Sequence, residues 1–95
     1  MYLQEHKTNI SFITITNSEG AFIDILDNFP NDLEDVLSQV NSEVTDIFPT
    51  SISITLEGDK YDIIEAMGQI TQLLIINNIF NFHFTFHTVE QYKDA

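Results

Sequence analysis

The sequence contains no cysteine and no arginine, and only three of its 95 residues are lysines. Without cysteine the chain can form no disulfide, no thiolate nucleophile and no Cys-based zinc or iron–sulfur site, so a reducing compartment is permitted. Fifteen aspartates and glutamates leave a formal charge of −12. With so few basic groups, direct binding to nucleic acid or to an anionic membrane is disfavoured, and a cationic partner is favoured.

Long apolar runs are also missing. No run approaches the roughly 20 residues of a membrane span, and the first residues lack the apolar core of a secretory signal, so we expect a cytoplasmic protein. Hydrophobic residues still make up 43% of the chain and include eight phenylalanines, which is too rich for a disordered acidic tail. Because no Pro-, Gly- or Ser-rich linker divides the sequence, we expect one domain, residues 1–95.

The first third of the chain permits two interpretations. Residues 10–16 are β-branched and aromatic, as in a strand, and residues 17–20 have the composition of a tight turn. If residues 21–26 form the returning strand, the chain begins with a β-hairpin, which we prefer. The alternative is a helix, because an i, i+3, i+4, i+7 spacing relates Phe22, Ile25, Leu26 and Phe29.

The rest of the chain predicts two helices and three strands. Asn31 and Glu34 have the spacing of a capping box, so the first helix should begin at Asn31, and Asp59 can cap the second helix. Alternating apolar residues predict strands at residues 44–48, 51–57 and 80–86, with a tight turn at Pro49 and Thr50. In the last strand we expect four phenylalanines to face the core, namely Phe80, Phe82, Phe84 and Phe86.

These elements predict an α+β fold in the order β-β-α-β-β-α-β, or β-α-β-β-α-β if the first hairpin is wrong. Both orders give a mainly antiparallel sheet of four or five strands with two helices on one face. The opposite face would then be polar, and it would carry Ser51, Ser53, Thr55, Asn81, His83, Thr85 and His87.

The acidic residues are concentrated between Lys7 and Lys60, where fifty-two residues contain ten carboxylates and no basic side chain. Some of these acids open helices, where the helix dipole favours negative charge. The remainder can form a solvated surface or an array that imitates duplex DNA, which carries one charge about every 1.7 Å. As partner-binding residues we predict Glu19, Asp24, Asp27, Asp32, Glu34, Asp35, Glu43 and Asp46.

No catalytic constellation is present in the sequence, which has neither a GxSxG motif nor a glycine-rich phosphate loop. His83 and His87 point to the same side of a predicted strand, but four residues separate them by about 13 Å, too far to share a metal ion. We therefore predict a protein that is not an enzyme and that uses no metal and no cofactor.

Residues 53–88 resemble the small thiamine- or hydroxymethylpyrimidine-binding family in the strand end at residues 53–59, the helix opening at residues 61–64 and the closing strand. This resemblance implies a ferredoxin-like β-α-β-β-α-β fold, assembly through the sheets into dimers or tetramers, and a ligand contact at Ser53. In composition and size the chain also resembles small acidic inhibitors of phages and mobile elements, which include DNA mimics, anti-restriction proteins and anti-CRISPR proteins.

The leading hypothesis is an inhibitor that occupies the basic groove of a nucleic-acid-binding protein by DNA mimicry. The alternative is a ferredoxin-like oligomer that binds thiamine or a pyrimidine on its polar sheet face, through Ser53, Thr55, His83 and His87. A third possibility is an immunity-type partner of a basic toxin, which the same acidic residues would support.

We also expect a homodimer. Ile10 and Phe12 should point away from Ile13 and Ile15, so a monomer would leave one apolar row of this strand exposed. The segment at residues 73–76 is apolar nearly all round its helix, which adds to the surface available for association.

Overall fold

The computed structural model describes residues 5–94, with side chains described for residues 8–90. Its four strands form one antiparallel sheet in the order β2-β3-β1-β4, and the two helices pack on one face of that sheet. The elements in chain order are β1 (Glu5–Thr16), a 3-10 helix (Ala21–Asp24), α1 (Phe29–Val36), β2 (Asn41–Phe48), β3 (Ser51–Gly58), α2 (Lys60–Ile76) and β4 (His83–Asp94). The α+β prediction is confirmed, in its β-α-β-β-α-β form.

The preferred hairpin at the start of the chain is wrong. Residues 21–26 begin with a 3-10 helix, and the side chains of Phe22, Ile25 and Phe29 all enter the core. A returning strand would have placed Phe22 and Ile25 on opposite faces, yet both are buried. Gly20, with φ at 72°, takes the left-handed conformation that leads the chain out of β1 into this segment. The apolar spacing of three and four residues was therefore the correct signal.

Helix α1 begins two residues earlier than the predicted capping box. Its first residue is Phe29, and Asn28 precedes it without a capping hydrogen bond from its side chain. Pro30 lies in the first turn, where its missing N–H has no partner to lose and its fixed φ suits the helix. Asn31 and Glu34 therefore lie inside the helix, so the predicted capping box is not formed.

The hairpin of β2 and β3 follows the predicted pattern. Pro49 and Thr50 connect the two strands, and β2 is longer than predicted because it begins at Asn41. In β3 the apolar side chains of Ile52, Ile54 and Leu56 are buried, while the residues between them are half-buried on the other face. A register shift between Val44 and Asp46 lets both Val44 and Ile47 pack against the core.

Helix α2 is capped as predicted. The carboxylate of Asp59 accepts a hydrogen bond of 2.8 Å from the backbone N–H of Tyr61. The buried side of the helix is formed by Ile63, Ala66, Ile70 and Leu74, which lie three or four residues apart. Through this side α2 contacts β1 and β3. Ile75 and Ile76, which follow Leu74 in the helix, lie outside the buried side and are exposed.

The expectation for the four phenylalanines is only partly right. Phe82 and Phe84 are half-buried and meet edge to face, with ring centroids 5.9 Å apart. Phe86 lies on the helix side of the edge strand β4, beyond the cover of α2, and is 58% exposed. Phe80 precedes the strand and is also exposed. The period of two predicts which face a side chain takes, but the extent of the helix layer decides whether that face is covered.

Replacing Asp59 with alanine should lower the free energy of unfolding by about 0.5–2 kcal/mol, because the N–H of Tyr61 loses its capping acceptor. Urea denaturation measures the change. The matched control is Glu65→Ala, since Glu65 is an exposed acid inside the same helix and caps nothing. Equal destabilisation by both substitutions would contradict the capping role.

Candidate functional site

The face of the sheet opposite the helices, called here the open face, presents alternate residues of all four strands. Because the strands are in register, these side chains form rows that cross the sheet from β2 through β3 and β1 to β4. We name three rows. They are the Phe12 row (Glu43, Thr55, Phe12, His87), the middle row (Asp46, Ser53, Thr14, Thr85) and the His83 row (Phe48, Ser51, Thr16, His83).

The open face combines hydroxyl, imidazole and aromatic groups. The predicted polar residues lie on it, apart from Asn81, which precedes β4. The predicted division of β1 is confirmed, since Ile13 and Ile15 are buried beneath the helices while Phe12 on the open face is 50% exposed. Phe48 in the edge strand β2 is 53% exposed. The face therefore offers both hydrogen-bonding groups and apolar contact area.

A polar cleft of about 500 Å³ lies at the end of the open face that carries the His83 row. Three segments meet there: the end of β1 with the residues that follow it, the turn between β2 and β3, and the start of β4 with the residues before it. Every lining residue is polar, and none is a lysine, an aspartate or a glutamate. The lining residues are Thr16, Asn17, Ser18, Thr50, Ser51, Asn81 and His83.

Asn17 holds the walls of this cleft together. Its side chain is 4% exposed, and its amide oxygen accepts hydrogen bonds from the N–H groups of Glu19 (2.9 Å) and Ala21 (3.1 Å). Its amide nitrogen donates to the carbonyl of Asn81, and its backbone N–H donates to the carbonyl of Thr50 at 2.9 Å. Because these bonds occupy the Asn17 side chain, the groups left to bind a ligand in the cleft are the hydroxyls, the side-chain amide of Asn81 and the imidazole.

The structure separates the four residues that were predicted as a ligand face. His83 lines the cleft and Ser53 lies in the middle row, whereas Thr55 and His87 belong to the Phe12 row. His83 and His87 lie four residues apart on one strand, as predicted, so they form no common site.

Sequence reasoning missed four residues of the cleft, namely Thr16, Asn17, Ser18 and Thr50. The available signal was the polar turn after β1 beside the polar turn after β2. Antiparallel pairing of β1 with β3 brings these two turns to one end of the sheet.

The eight predicted partner-binding acids lie on two sides of the molecule. Glu19, Asp24 and Asp27 belong to the connection between β1 and α1, and three more lie in α1 itself: Asp32, Glu34 and Asp35. Glu43 and Asp46 instead lie on the open face, in β2. All are exposed except Asp32, which is half-buried. Among the residues whose side chains are described, none of these eight carboxylates forms an ion pair.

A second cleft, of about 440 Å³, is apolar and lies on the helix side of the sheet between α2 and β4. Its walls are formed mainly by Ile63, Ile64, Met67 and Phe86. It exists because α2 stops short of covering the edge strand, as the exposure of Phe86 shows.

Two features are absent from the part of the chain that the structure describes, residues 5–94. No three histidine, aspartate or glutamate side chains in this part lie together as ligands of a metal ion would. Nor does any helix in it have the length and apolar character needed to cross a membrane.

Comparisons with protein-family models and with curated protein sequences found no match. Among solved structures, a protein of unknown function from Nitrosomonas europaea has a TM-score of 0.64 at 14% identity, over 90% of this chain and 89% of that one. A DUF77 domain of unknown function from Bacillus cereus has a TM-score of 0.61 at 12% identity, over 100% and 84%.

A third solved structure, described as a dimeric ferredoxin-like protein from an uncultured marine organism, has a TM-score of 0.53 at 11% identity, over 95% of this chain and 100% of that one. Identities this low establish the fold alone. The chain has the ferredoxin-like α+β fold, as the resemblance of residues 53–88 implied.

Replacing Asn17 with alanine should lower the free energy of unfolding by about 1–3 kcal/mol, because the carbonyl of Asn81 and the N–H groups of Glu19 and Ala21 lose their hydrogen-bond partner. Ser18→Ala is the control, since Ser18 is exposed and adjacent in the same cleft. Chemical denaturation of both variants tests the expectation. Similar stability for the two would show that Asn17 does not hold the cleft together.

Proposed function

We propose that the protein is a non-enzymatic binding protein that holds a small polar organic molecule in the cleft at the His83 row, and that it acts as a homodimer packed through its open face. The observation that carries the proposal is the cleft itself, whose lining is entirely hydroxyl, amide and imidazole. Its volume of about 500 Å³ is within the range of small-molecule sites.

The chemistry of the lining limits the class of ligand. Hydroxyl and imidazole groups both donate and accept hydrogen bonds, which suits a heteroaromatic ring with donors and acceptors on its edge. No lysine lines the cleft and the chain has no arginine, so a phosphate group would meet no positive charge. The charge of −12 favours neutral or cationic ligands. Thiamine and hydroxymethylpyrimidine have these properties, in agreement with the resemblance of residues 53–88.

Thermal denaturation with thiamine and with hydroxymethylpyrimidine tests the site. A ligand at 100 times its Kd stabilises the folded state by about 2.7 kcal/mol. His83→Ala should weaken binding at least about tenfold by removing a polar group that the ligand satisfies. The control is Gln72→Ala, because Gln72 is exposed on α2, outside both the cleft and the open face. Stabilisation by neither ligand, or equal losses in both variants, would contradict the proposal.

A second candidate function is inhibition of a basic nucleic-acid-binding protein by DNA mimicry. The observation that favours it is the set of six acids on the helix side, in the connection and in α1, none of which has an ion-pair partner among the described side chains. Such a surface attracts a basic groove at long range and loses that attraction as salt is raised. An immunity-type partner of a basic toxin would use the same surface.

The separation of the acids provides a test with a built-in control. Host proteins retained on immobilised duplex DNA should be released by the wild-type chain and by the Glu43→Lys/Asp46→Lys variant, but not by Asp24→Lys/Asp27→Lys, because only the second pair belongs to the helix-side surface. Both variants change the net charge equally. Absence of release, or equal release by the two variants, would argue against mimicry by this surface.

A further inference from the structure

The open face is large enough to pack against a second copy of the chain. Strands β1 and β4 have 12 residues each, and β2 and β3 have 8 each. With strands about 4.8 Å apart and about 3.3 Å per residue, the eight residues of each strand that lie in rows across all four strands cover about 500 Å². Two such faces bury about 1,000 Å² together, which reaches the roughly 1,000 Å² expected of a specific interface. Phe12 and Phe48 supply exposed aromatic contacts within it.

Aligned packing of this face on itself leaves two symmetric arrangements. A two-fold dimer with stacked sheets has its axis between the sheets, and aligned packing keeps the strands of the two sheets within about 30° of one another. If the axis runs along the strands, β2 of one copy faces β4 of the other, and β3 faces β1. If the axis runs across the strands, every strand faces its own copy in the reverse direction.

Charge distinguishes the two arrangements. With the axis across the strands, β2 faces β2 in the reverse direction, so Glu43 and Asp46 of one copy lie beside Asp46 and Glu43 of the other. Like charges brought together and desolvated in an interface cost several kcal/mol. With the axis along the strands, a two-fold rotation leaves each row at its own height. Each row then faces itself, and the carboxylates of β2 meet the polar residues of β4.

We propose that the second copy packs on the open face with the two-fold axis parallel to the strands, so that Glu43 of each copy faces His87 of the other. The inference rests on the proposed dimer and adds its geometry. Neutral imidazole carries one N–H and the imidazolium carries two, so both forms can donate a hydrogen bond to a carboxylate. In the same arrangement Asp46 faces Thr85, and Phe48 of one copy faces His83 of the other beside the polar cleft.

The direction in which one substitution changes the Kd of dimerisation distinguishes the two arrangements. Glu43→Lys should raise the Kd of dimerisation at least about tenfold, measured by analytical ultracentrifugation. The substitution removes the carboxylate that accepts from His87 and places an ammonium group opposite the imidazole. With the axis across the strands, the same substitution would relieve repulsion between carboxylates and lower the Kd. The control is Glu34→Lys, an identical charge change on α1, which should leave the Kd within about twofold of wild type.

A charge exchange completes the test. His87→Glu alone should also weaken the dimer, since the new carboxylate faces Glu43, whereas combining it with Glu43→Lys should restore the Kd to within about threefold of wild type. A lower or unchanged Kd for Glu43→Lys, or no recovery in the double variant, would overturn this geometry while leaving the dimer itself established. A wild-type chain that sediments as a monomer at micromolar concentration would refute the dimer, and ligand binding in the cleft would still be decided by the His83→Ala comparison.

Discussion

The pairing of β1 on both of its edges is the constraint on which the rest of the structure depends. β1 lies between β3 and β4 and is antiparallel to each. Because side chains alternate strictly along a strand, burying Ile13 and Ile15 beneath the helices forces Phe12 onto the opposite face. The same register then aligns the hydroxyl residues of β3 and the histidines of β4 with Phe12 and its neighbours. The open face is thus a direct consequence of how the core is filled.

Asn17 connects this sheet geometry to the cleft. At the point where β1 ends, its buried side-chain amide joins the segment before β4 to the 3-10 helix that enters the core, and its backbone N–H bonds to the β2–β3 turn. A buried amide with its donors and acceptors satisfied rigidifies its surroundings, because any displacement leaves a polar group unpaired in a medium of low dielectric constant. The hydroxyl groups, the amide of Asn81 and the imidazole of the cleft are therefore carried by a backbone that these bonds restrain.

The acidic residues of the chain lie in two different settings. On the helix side the acids occupy a connection and a short helix, exposed to solvent and far from any lysine in sequence. On the open face two carboxylates lie on the edge strand β2 and histidines lie on the opposite edge strand β4. An uneven distribution of this kind discriminates strongly between orientations of two chains.

The sequence alone determined the local features, and the tertiary structure decided how these features combine. The Asp59 cap, the turn at Pro49 and Thr50, and the division of β1 between two faces each depend on residues within a few positions, so their patterns could be read directly. The choice between strand and helix at residues 21–26 depended on whether Phe22 could reach the core beneath the sheet's helices. Exposure of Phe86 depended on where α2 lies, and the cleft depended on which strand ends meet. These are long-range outcomes of strand order and helix placement. Local periodicity does not encode them, because the side chains of a strand alternate between the two faces of the sheet whichever strand lies beside it.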